Sequence, residues 1–217
     1  MKHIGPLTAA ATVALTGLAL TTPAVAAPAA GSPTTIKVET YHGYVVDADW
    51  EAMTSPTTFA ATYLSVAQET QGSQLHVEHV TANLDAQGEF TGGRITWADA
   101  TSGFTFAIDT QKLATASVQG TDLAAVTCDL SPAGEESGCT DTTVDVSAAW
   151  TATGPLGRDV YNEHYARPGF SVNIHGSGLD RTATATGVLD GTVLSADQLQ
   201  FASLLKGTSR TVMRFGE

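Results

Sequence analysis

Apolar and polar side chains alternate along several stretches of this chain with a two-residue period. In the clearest stretch, one parity is occupied by apolar residues, namely Val144, Val146, Ala148 and Trp150. The same period recurs in residues 75–78, 104–108 and 182–186. Because successive side chains of a β-strand point to opposite faces, this pattern predicts strands that bury one face.

Turn-forming residues separate these stretches roughly every ten residues. Examples are Gln71-Gly72-Ser73, Asp85-Ala86-Gln87-Gly88, Thr101-Ser102-Gly103, Arg167-Pro168-Gly169 and Asp190-Gly191. Short strands at this spacing predict an all-β protein, built as an antiparallel β-sandwich or a barrel-like arrangement. No compositional break divides residues 36–217, so we expect them to form a single β domain.

Residues 196–206 do not follow this two-residue period. The tetrapeptide Ser195-Ala196-Asp197-Gln198 is typical of a helix start, and a suitable end follows at Gly207. The apolar residues between them are Leu199, Phe201, Leu204 and Leu205. The segment fits either one short helix near residues 196–206 or a strand of irregular register, and we favour the helix.

The first 26 residues have the features of a secretory signal peptide. Lys2 supplies a positive charge, residues 7–20 form an uncharged apolar run, and Ala24-Val25-Ala26 is a small-x-small cleavage site. The apolar run is shorter than the ~20 residues that span a bilayer. We therefore expect cleavage, a flexible lead over residues 27–35, and a secreted protein that is extracellular or cell-wall associated, without stable membrane insertion.

The chain is acidic, with 22 Asp and Glu against 10 Lys and Arg and a net charge of −12. This balance argues against nucleic acid or an anionic membrane surface as the main partner. Apolar residues make up 42% of the chain, which argues against a wholly disordered protein.

Cys128 and Cys139 are the two cysteines of the chain. An even number of cysteines in an exported protein predicts a disulfide bond. The intervening segment contains Ser131-Pro132-Ala133-Gly134, so the bond would join two strands across a turn-rich loop. Neither cysteine has a second Cys or a His at the spacing of metal ligands, which disfavours a metal site or a catalytic thiol.

The most specific local pattern is a β-hairpin around Pro168-Gly169, with residues 161–165 and 170–174 as its strands. A loop of two or four residues centred on this dipeptide places His164 opposite Asn173, and Asn162 opposite His175. A three-residue loop would shift the pairing and place His164 beside Val172.

In the first of these registers the hairpin has two chemically different faces. Asn162, His164, Asn173 and His175 share one face, and the other face carries Tyr161, Tyr165, Val172 and Ile174, which we expect to pack inward. We interpret the His/Asn face as a candidate ligand-binding patch, because cross-strand neighbours lie ~5 Å apart and can contact one ligand. The alternatives are a solvated sheet face and an adventitious metal site.

Trp50 is the fifth candidate ligand-binding residue. It lies among Asp47, Asp49 and Glu51 and close to Tyr44, so we expect its side chain to be exposed. Exposed aromatic rings beside polar groups stack on sugar rings in carbohydrate-binding β-sandwiches. By contrast, Trp150 shares its parity with apolar neighbours, which predicts a core position.

Other charged and polar patterns do not predict a catalytic or metal centre. Asp47, Asp49 and Glu51 alternate and would share a strand face, but they lack the glycine and spacing of a calcium-binding loop. His76 and Glu78 also share a strand face and fit an exposed or salt-bridged pair. The chain has no phosphate-binding Gly-rich loop with Lys, no His-Glu-x-x-His and no Gly-x-Ser-x-Gly, so we expect no cofactor.

Two segments carry a resemblance to other proteins. Ala149-Trp150-Thr151-Ala152-Thr153-Gly154-Pro155 and Arg181-Thr182-Ala183-Thr184-Ala185-Thr186-Gly187 resemble segments of uncharacterised secreted β-rich proteins of high-GC Gram-positive bacteria, the actinobacteria. The resemblance covers the last third of the chain. It implies an extracellular β-protein and brings no known activity or site residues.

These observations predict an exported, non-catalytic β-sandwich that binds a polar ligand such as a glycan. One alternative is a secreted hydrolase whose carboxylate pair is hidden among the acidic residues, since glycoside hydrolysis needs two carboxyl groups at a defined separation. Another is a cell-surface module that binds a second protein.

Overall fold

A computed structural model describes residues 35–215, and every regular element in that range is a β-strand. The strands are β1 Thr35–Ser55, β2 Thr58–Glu69, β3 Gly72–Leu84, β4 Phe90–Ala100, β5 Phe104–Ile108, β6 Thr115–Leu130, β7 Glu136–Ala152, β8 Gly157–Arg167, β9 Phe170–Leu189, β10 Thr192–Leu194 and β11 Leu199–Phe215. The expected signal peptide, and the lead except for Thr35, lie outside the described residues. Residues 35–215 contain no helix with the length and apolar character needed to cross a membrane.

All strand pairs are antiparallel, and eight strands pair in a closed circuit. The circuit runs β1, β2, β3, β4, β6, β7, β9, β11 and back to β1. It is irregular, because β4 pairs with β6 only over residues 93–97 and β5 then takes its place beside β6. The predicted all-β class, with a sandwich or barrel-like arrangement, is confirmed.

The core consists mainly of side chains that one parity of the circuit strands turns inward, together with Leu113 from the segment between β5 and β6. The largest fully buried side chains are those of Trp50, Trp150, Leu64, Leu75, Leu113 and Leu204. On β7 the predicted alternation is observed, since Val144, Val146, Ala148 and Trp150 are all buried. Fully burying one large apolar side chain stabilises the fold by about 1.5–3 kcal/mol, so these residues hold the circuit together.

The predicted short helix near residues 196–206 is wrong. Residues 195–198 form a turn, in which the Gln198 amide donates to the Ser195 carbonyl at 3.1 Å, and β11 begins at Leu199. Ala202 and Leu204 share one parity and belong to the core, whereas Ser203 is buried on the other parity, where its hydroxyl donates to Asp47 Oδ2 at 3.4 Å. Burial at both parities hides the two-residue period, which explains the misleading pattern.

The Cys128–Cys139 disulfide is present and joins β6 to β7, with the two Cα atoms 4.1 Å apart. It lies where the pairing of these strands shifts between Thr127 and Asp129, and Gly138 there has a positive φ of 60°. The bond closes the hairpin near its turn and is expected to contribute about 2–3 kcal/mol to stability.

Four strand segments of the same sheet continue past the circuit, and we call them the four-stranded extension. It consists of residues 160–167 of β8, 170–177 of β9, 208–215 of β11 and 35–42 of β1, which pair only with one another. Residues 36–40 and 160–167 are exposed at both parities. Both faces of the extension therefore contact solvent.

Candidate functional site

The predicted hairpin register is observed on β8 and β9, which are joined by the two-residue turn Pro168-Gly169. His164 pairs with Asn173, and Asn162 pairs with His175. Gly169 has a φ of 76°, which glycine adopts without strain and which suits a tight turn. The structure thus brings the four predicted hairpin residues together on one exposed sheet face.

Each histidine of this face is hydrogen-bonded to the asparagine opposite it. His164 Nδ1 donates to Asn173 Oδ1 at 2.7 Å, and His175 Nδ1 donates to Asn162 Oδ1. With Nδ1 bonded to the asparagine, the Nε2 atom of each ring remains free for a ligand. The face therefore offers two imidazole nitrogens and two amide groups in fixed orientations.

The fifth predicted residue, Trp50, lies elsewhere, and the expectation that it is exposed is wrong. Its side chain is 2% exposed, and its indole Nε1 donates to the Ala185 carbonyl at 3.4 Å. Trp50 shares its parity with Val46 and Ala48, whereas the neighbouring acids occupy the other parity of β1. Strand parity, rather than the neighbouring residues in sequence, was the signal that identifies its position.

The prediction that the apolar side of the hairpin packs inward is also wrong. Tyr161 is 40% exposed and Tyr165 is 56% exposed, so this side does not pack into the core. The reason is that the hairpin belongs to the four-stranded extension, beyond the residues that line the core. A hollow of about 350 Å³ lies here, lined by Glu163, His164, Tyr165, Val172 and Ile174.

Sequence reasoning missed the cations that β11 and β8 add to the His/Asn side. Arg210 pairs with His175 and Arg214 with Ser171 across β9 and β11. We call this whole side the cationic face, made of even positions 158–166 of β8, odd positions 171–179 of β9, even positions 206–214 of β11 and even positions 36–44 of β1. Paired residues in adjacent antiparallel strands place their side chains on the same side, which defines this set.

The cationic face contrasts with the acidic chain around it. Its charged and imidazole residues are Arg158, Lys206, Arg210, Arg214, His42, His164 and His175, and its described positions include no Asp or Glu. Lys206 Nζ lies 5.5 Å from the centre of the Tyr44 ring, a cation–π contact. None of the four Lys and Arg side chains forms a salt bridge with another residue of the described range.

The opposite face of the extension is aromatic. The rings of Phe170 and Phe215 are 5.1 Å apart, and the Arg167 guanidinium lies 5.3 Å from the centre of the Phe170 ring. Tyr161 covers Gly176, where a Cβ atom would collide with the phenol ring. Burial raises the pKa of the neighbouring Tyr41, and the charge of Glu69 adds to this effect.

A second group of polar residues lies on the outer side of β1–β4, and we call it the acidic face. It carries Asp47, Asp49, Glu51, Glu78 and Asp99. Tyr63 Oη donates to Asp47 Oδ1 at 3.0 Å, and burial, followed by the Asp47 charge, raises the pKa of Tyr63 to about 12. Burial raises the pKa of Asp49, and the charges of Glu51 and Glu78 add to this.

One row of the acidic face has the composition of a catalytic triad. Ser65 pairs with His76, and His76 pairs with Asp99, whose Oδ1 lies 2.8 Å from His76 Nδ1. Within residues 35–215, however, no hydrogen bond joins Ser65 to His76, and His76 Nε2 is 4.0 Å from Glu78. Ser65 also lies in mid-strand between two paired strands, where the ladders occupy the backbone N–H groups that an oxyanion would need. The row is therefore a hydrogen-bonded His76–Asp99 pair beside a serine that is not activated as a nucleophile.

A third polar group lies at the inner side of β2–β4 and has a structural role. The Thr62 hydroxyl is 2.8 Å from His79 Nδ1, and the Thr81 hydroxyl is 3.4 Å from His79 Nε2. Burial lowers the pKa of His79, which keeps the ring neutral between the two hydroxyls.

Within the described range, one group of three potential metal ligands lies close together, namely Cys128, Glu136 and Cys139. Both of its sulfur atoms belong to the disulfide and are not free to bind a metal. Comparison of the chain with protein-family models, with curated proteins and with solved structures found no match.

Proposed function

We propose that this protein is exported and binds a glycan at the His/Asn side of the four-stranded extension, without catalysing a reaction. The observation that carries the proposal is the pair of cross-strand hydrogen bonds, His164 to Asn173 and His175 to Asn162. They orient acceptors and amide donors toward solvent, and sugar hydroxyls can both donate to and accept from such groups. The Cys128–Cys139 disulfide supports export to an oxidising environment.

The exposed aromatic side chains of the same hairpin add to this proposal. Tyr161 and Tyr165 are exposed aromatic side chains, and they lie on the other face of β8. The sequence assigned the sugar-stacking role to Trp50, which is buried, and the exposed rings of Tyr161 and Tyr165 can take over that role. A sugar chain that lies along the edge strand β8 would contact both the His/Asn face and the aromatic face of the extension.

The test is a glycan array followed by calorimetric titration of residues 27–217 with each sugar that binds. We expect the Asn162→Ala/Asn173→Ala variant to weaken binding about tenfold, because two net hydrogen bonds of about 0.5–1.5 kcal/mol each are lost. The control is His76→Ala, which removes an equally hydrogen-bonded histidine from the acidic face.

Three results would contradict the proposal. Binding that is unchanged in Asn162→Ala/Asn173→Ala would move the ligand to another surface. Turnover of a bound glycan that a single Asp or Glu substitution abolishes would support the hydrolase alternative. A co-purifying protein partner, with no glycan bound on the array, would support the protein-interaction alternative.

A further inference from the structure

We infer that the cationic face binds an anionic glycan, a linear sugar chain that carries carboxylate, sulfate or phosphate groups. The inference rests on the proposed function and specifies the chemical class of its ligand. The chain as a whole has more than twice as many acidic as basic residues. Four Lys and Arg side chains nevertheless share one sheet face whose described positions lack any carboxylate.

The second argument is that these cations have no carboxylate partner although acids are abundant. Elsewhere in the described range, Arg94 contacts Asp129 at 3.4 Å, and Lys37 contacts Glu39 on the same strand. Arg158, Arg210 and Arg214 form no such ion pair within residues 35–215. Arg210 and Arg214 lie on one strand and Arg158 lies two strands away, so an anion bound to this face is attracted by several positive charges that no carboxylate offsets.

The third argument is the arrangement of the charges. Lys206, Arg210 and Arg214 recur every fourth residue of β11, which places them about 13 Å apart at 3.3 Å per residue. Such a row matches a linear ligand with repeated anionic groups better than a single small anion. Arginine also binds carboxylate, sulfate and phosphate through two parallel hydrogen bonds, which the planar guanidinium favours.

The charged row adjoins the polar groups of the proposed sugar site. Arg210 on β11 is the direct neighbour of His175 on β9, and His175 is hydrogen-bonded to Asn162 on β8. Neighbouring strands are about 4.8 Å apart, so this row of three strands is about 10 Å wide. One sugar chain can therefore contact the amide and imidazole groups while its anionic groups lie on the arginines.

The experiment compares three probes with the same backbone: unmodified dextran, carboxymethyl-dextran and dextran sulfate of equal length. We expect both charged forms to bind residues 27–217 at least about tenfold more tightly than dextran, with an affinity that falls as salt is added. The test variant is Arg210→Gln/Arg214→Gln, which should lose about tenfold or more of that affinity. The matched control is Lys37→Gln/Arg167→Gln, which removes two cations from the opposite face of the same extension and should change the affinity less than about twofold.

The outcomes separate this inference from the proposed function. If only neutral glycans bind, and their binding requires Asn162 and Asn173 but not the arginines, the inference is overturned and the proposed function remains in place. If the binding of charged dextrans depends on the arginines but not on the asparagines, the inference about ligand charge is supported and the proposed role of the His/Asn groups is overturned. Failure of every sugar to bind would overturn both.

Three further results would also overturn the inference. Equal losses in the two double variants would show that the net charge, and not this face, attracts the probe. A DNA duplex that binds as tightly as dextran sulfate would show non-specific attraction of polyanions. If sedimentation velocity shows that the protein self-associates, and Arg210→Gln/Arg214→Gln abolishes this association, a second copy of the acidic chain occupies the face.

Discussion

The acidic face on β1–β4 and the cationic face on the extension are both charged surfaces of one sheet, yet they differ in what holds their charges. On the acidic face Asp47 accepts a hydrogen bond from Tyr63, and Asp99 pairs with His76. On the cationic face Arg210 and Arg214 form no ion pair within the described residues. Asp47 and Asp99 are therefore held by neighbouring side chains of the fold, whereas Arg210 and Arg214 are available to a ligand.

The two faces also differ in what lies behind them. The acidic face covers a packed core, because the other parity of β1 and β2 carries fully buried residues such as Val46, Leu64 and Val66. Behind the cationic face lies the aromatic face of the extension, where Tyr165 is 56% exposed. Substitutions beneath the acidic face should therefore change folding stability, and substitutions on the cationic face should change binding.

The largest expected effect is that of Trp50→Ala beneath the acidic face. Replacing a buried tryptophan with alanine costs about 3–5 kcal/mol of unfolding free energy, from lost apolar contact and the remaining cavity. Arg210→Gln on the exposed sheet should change stability by less than about 0.5 kcal/mol. Urea unfolding of both variants checks this difference, and a comparable loss in both would remove the distinction between the two regions.

An intermediate effect is expected from Cys128→Ser/Cys139→Ser, which removes the disulfide between β6 and β7. The unfolding free energy should fall by about 2–3 kcal/mol because the unfolded chain gains freedom. Since the extension contains no part of β6 or β7, affinity for charged dextran should remain unchanged. Calorimetry and urea unfolding on the same sample test both statements, and a coupled loss of affinity would show that the two regions act as one.

The smallest expected effect concerns Asp49 on the acidic face. Burial and the charges of Glu51 and Glu78 raise its pKa in the folded protein above the ordinary 3.8, so folding favours the protonated form. That contribution is fully present below pH 3.8 and is lost as the pH rises through the raised pKa. Asp49→Asn should therefore be more stable than the parent at pH 7, and the difference should shrink toward pH 3.

Urea unfolding at a series of pH values measures this difference, with Asp99→Asn as the control. Asp99 is bonded to His76, so its removal should not stabilise the protein at pH 7. A stabilisation by Asp99→Asn equal to that of Asp49→Asn would show that overall negative charge, and not the local environment of Asp49, is responsible.

Much of the local structure could be predicted from residues that are close in sequence. The alternation ending at Trp150 identified β7 and its buried parity, and Pro168-Gly169 identified the hairpin that pairs His164 with Asn173. The prediction for Trp50 failed because its acidic neighbours were given more weight than the parity that it shares with Val46 and Ala48. The prediction for residues 196–206 failed because the helix-start residues 195–198 form a turn, and the strand that follows is stabilised by pairing with the distant strands β1 and β9.

The amino-acid sequence by itself determined which positions of each strand share a side, the β8–β9 hairpin with two possible registers, and the cysteine pairing, because each depends on strand period, turn chemistry or the presence of two cysteines. The structure selected the register in which His164 pairs with Asn173. Only the tertiary structure decided that β11 lies between β1 and β9, and so placed Arg210 beside His175, 35 residues earlier in the chain. Strand alternation is the same whichever strands are neighbours, so it carries no information about that choice. Which strands become neighbours is decided when the apolar side chains of the circuit are buried around one core. The extension lies beyond that core and keeps two solvent-exposed faces.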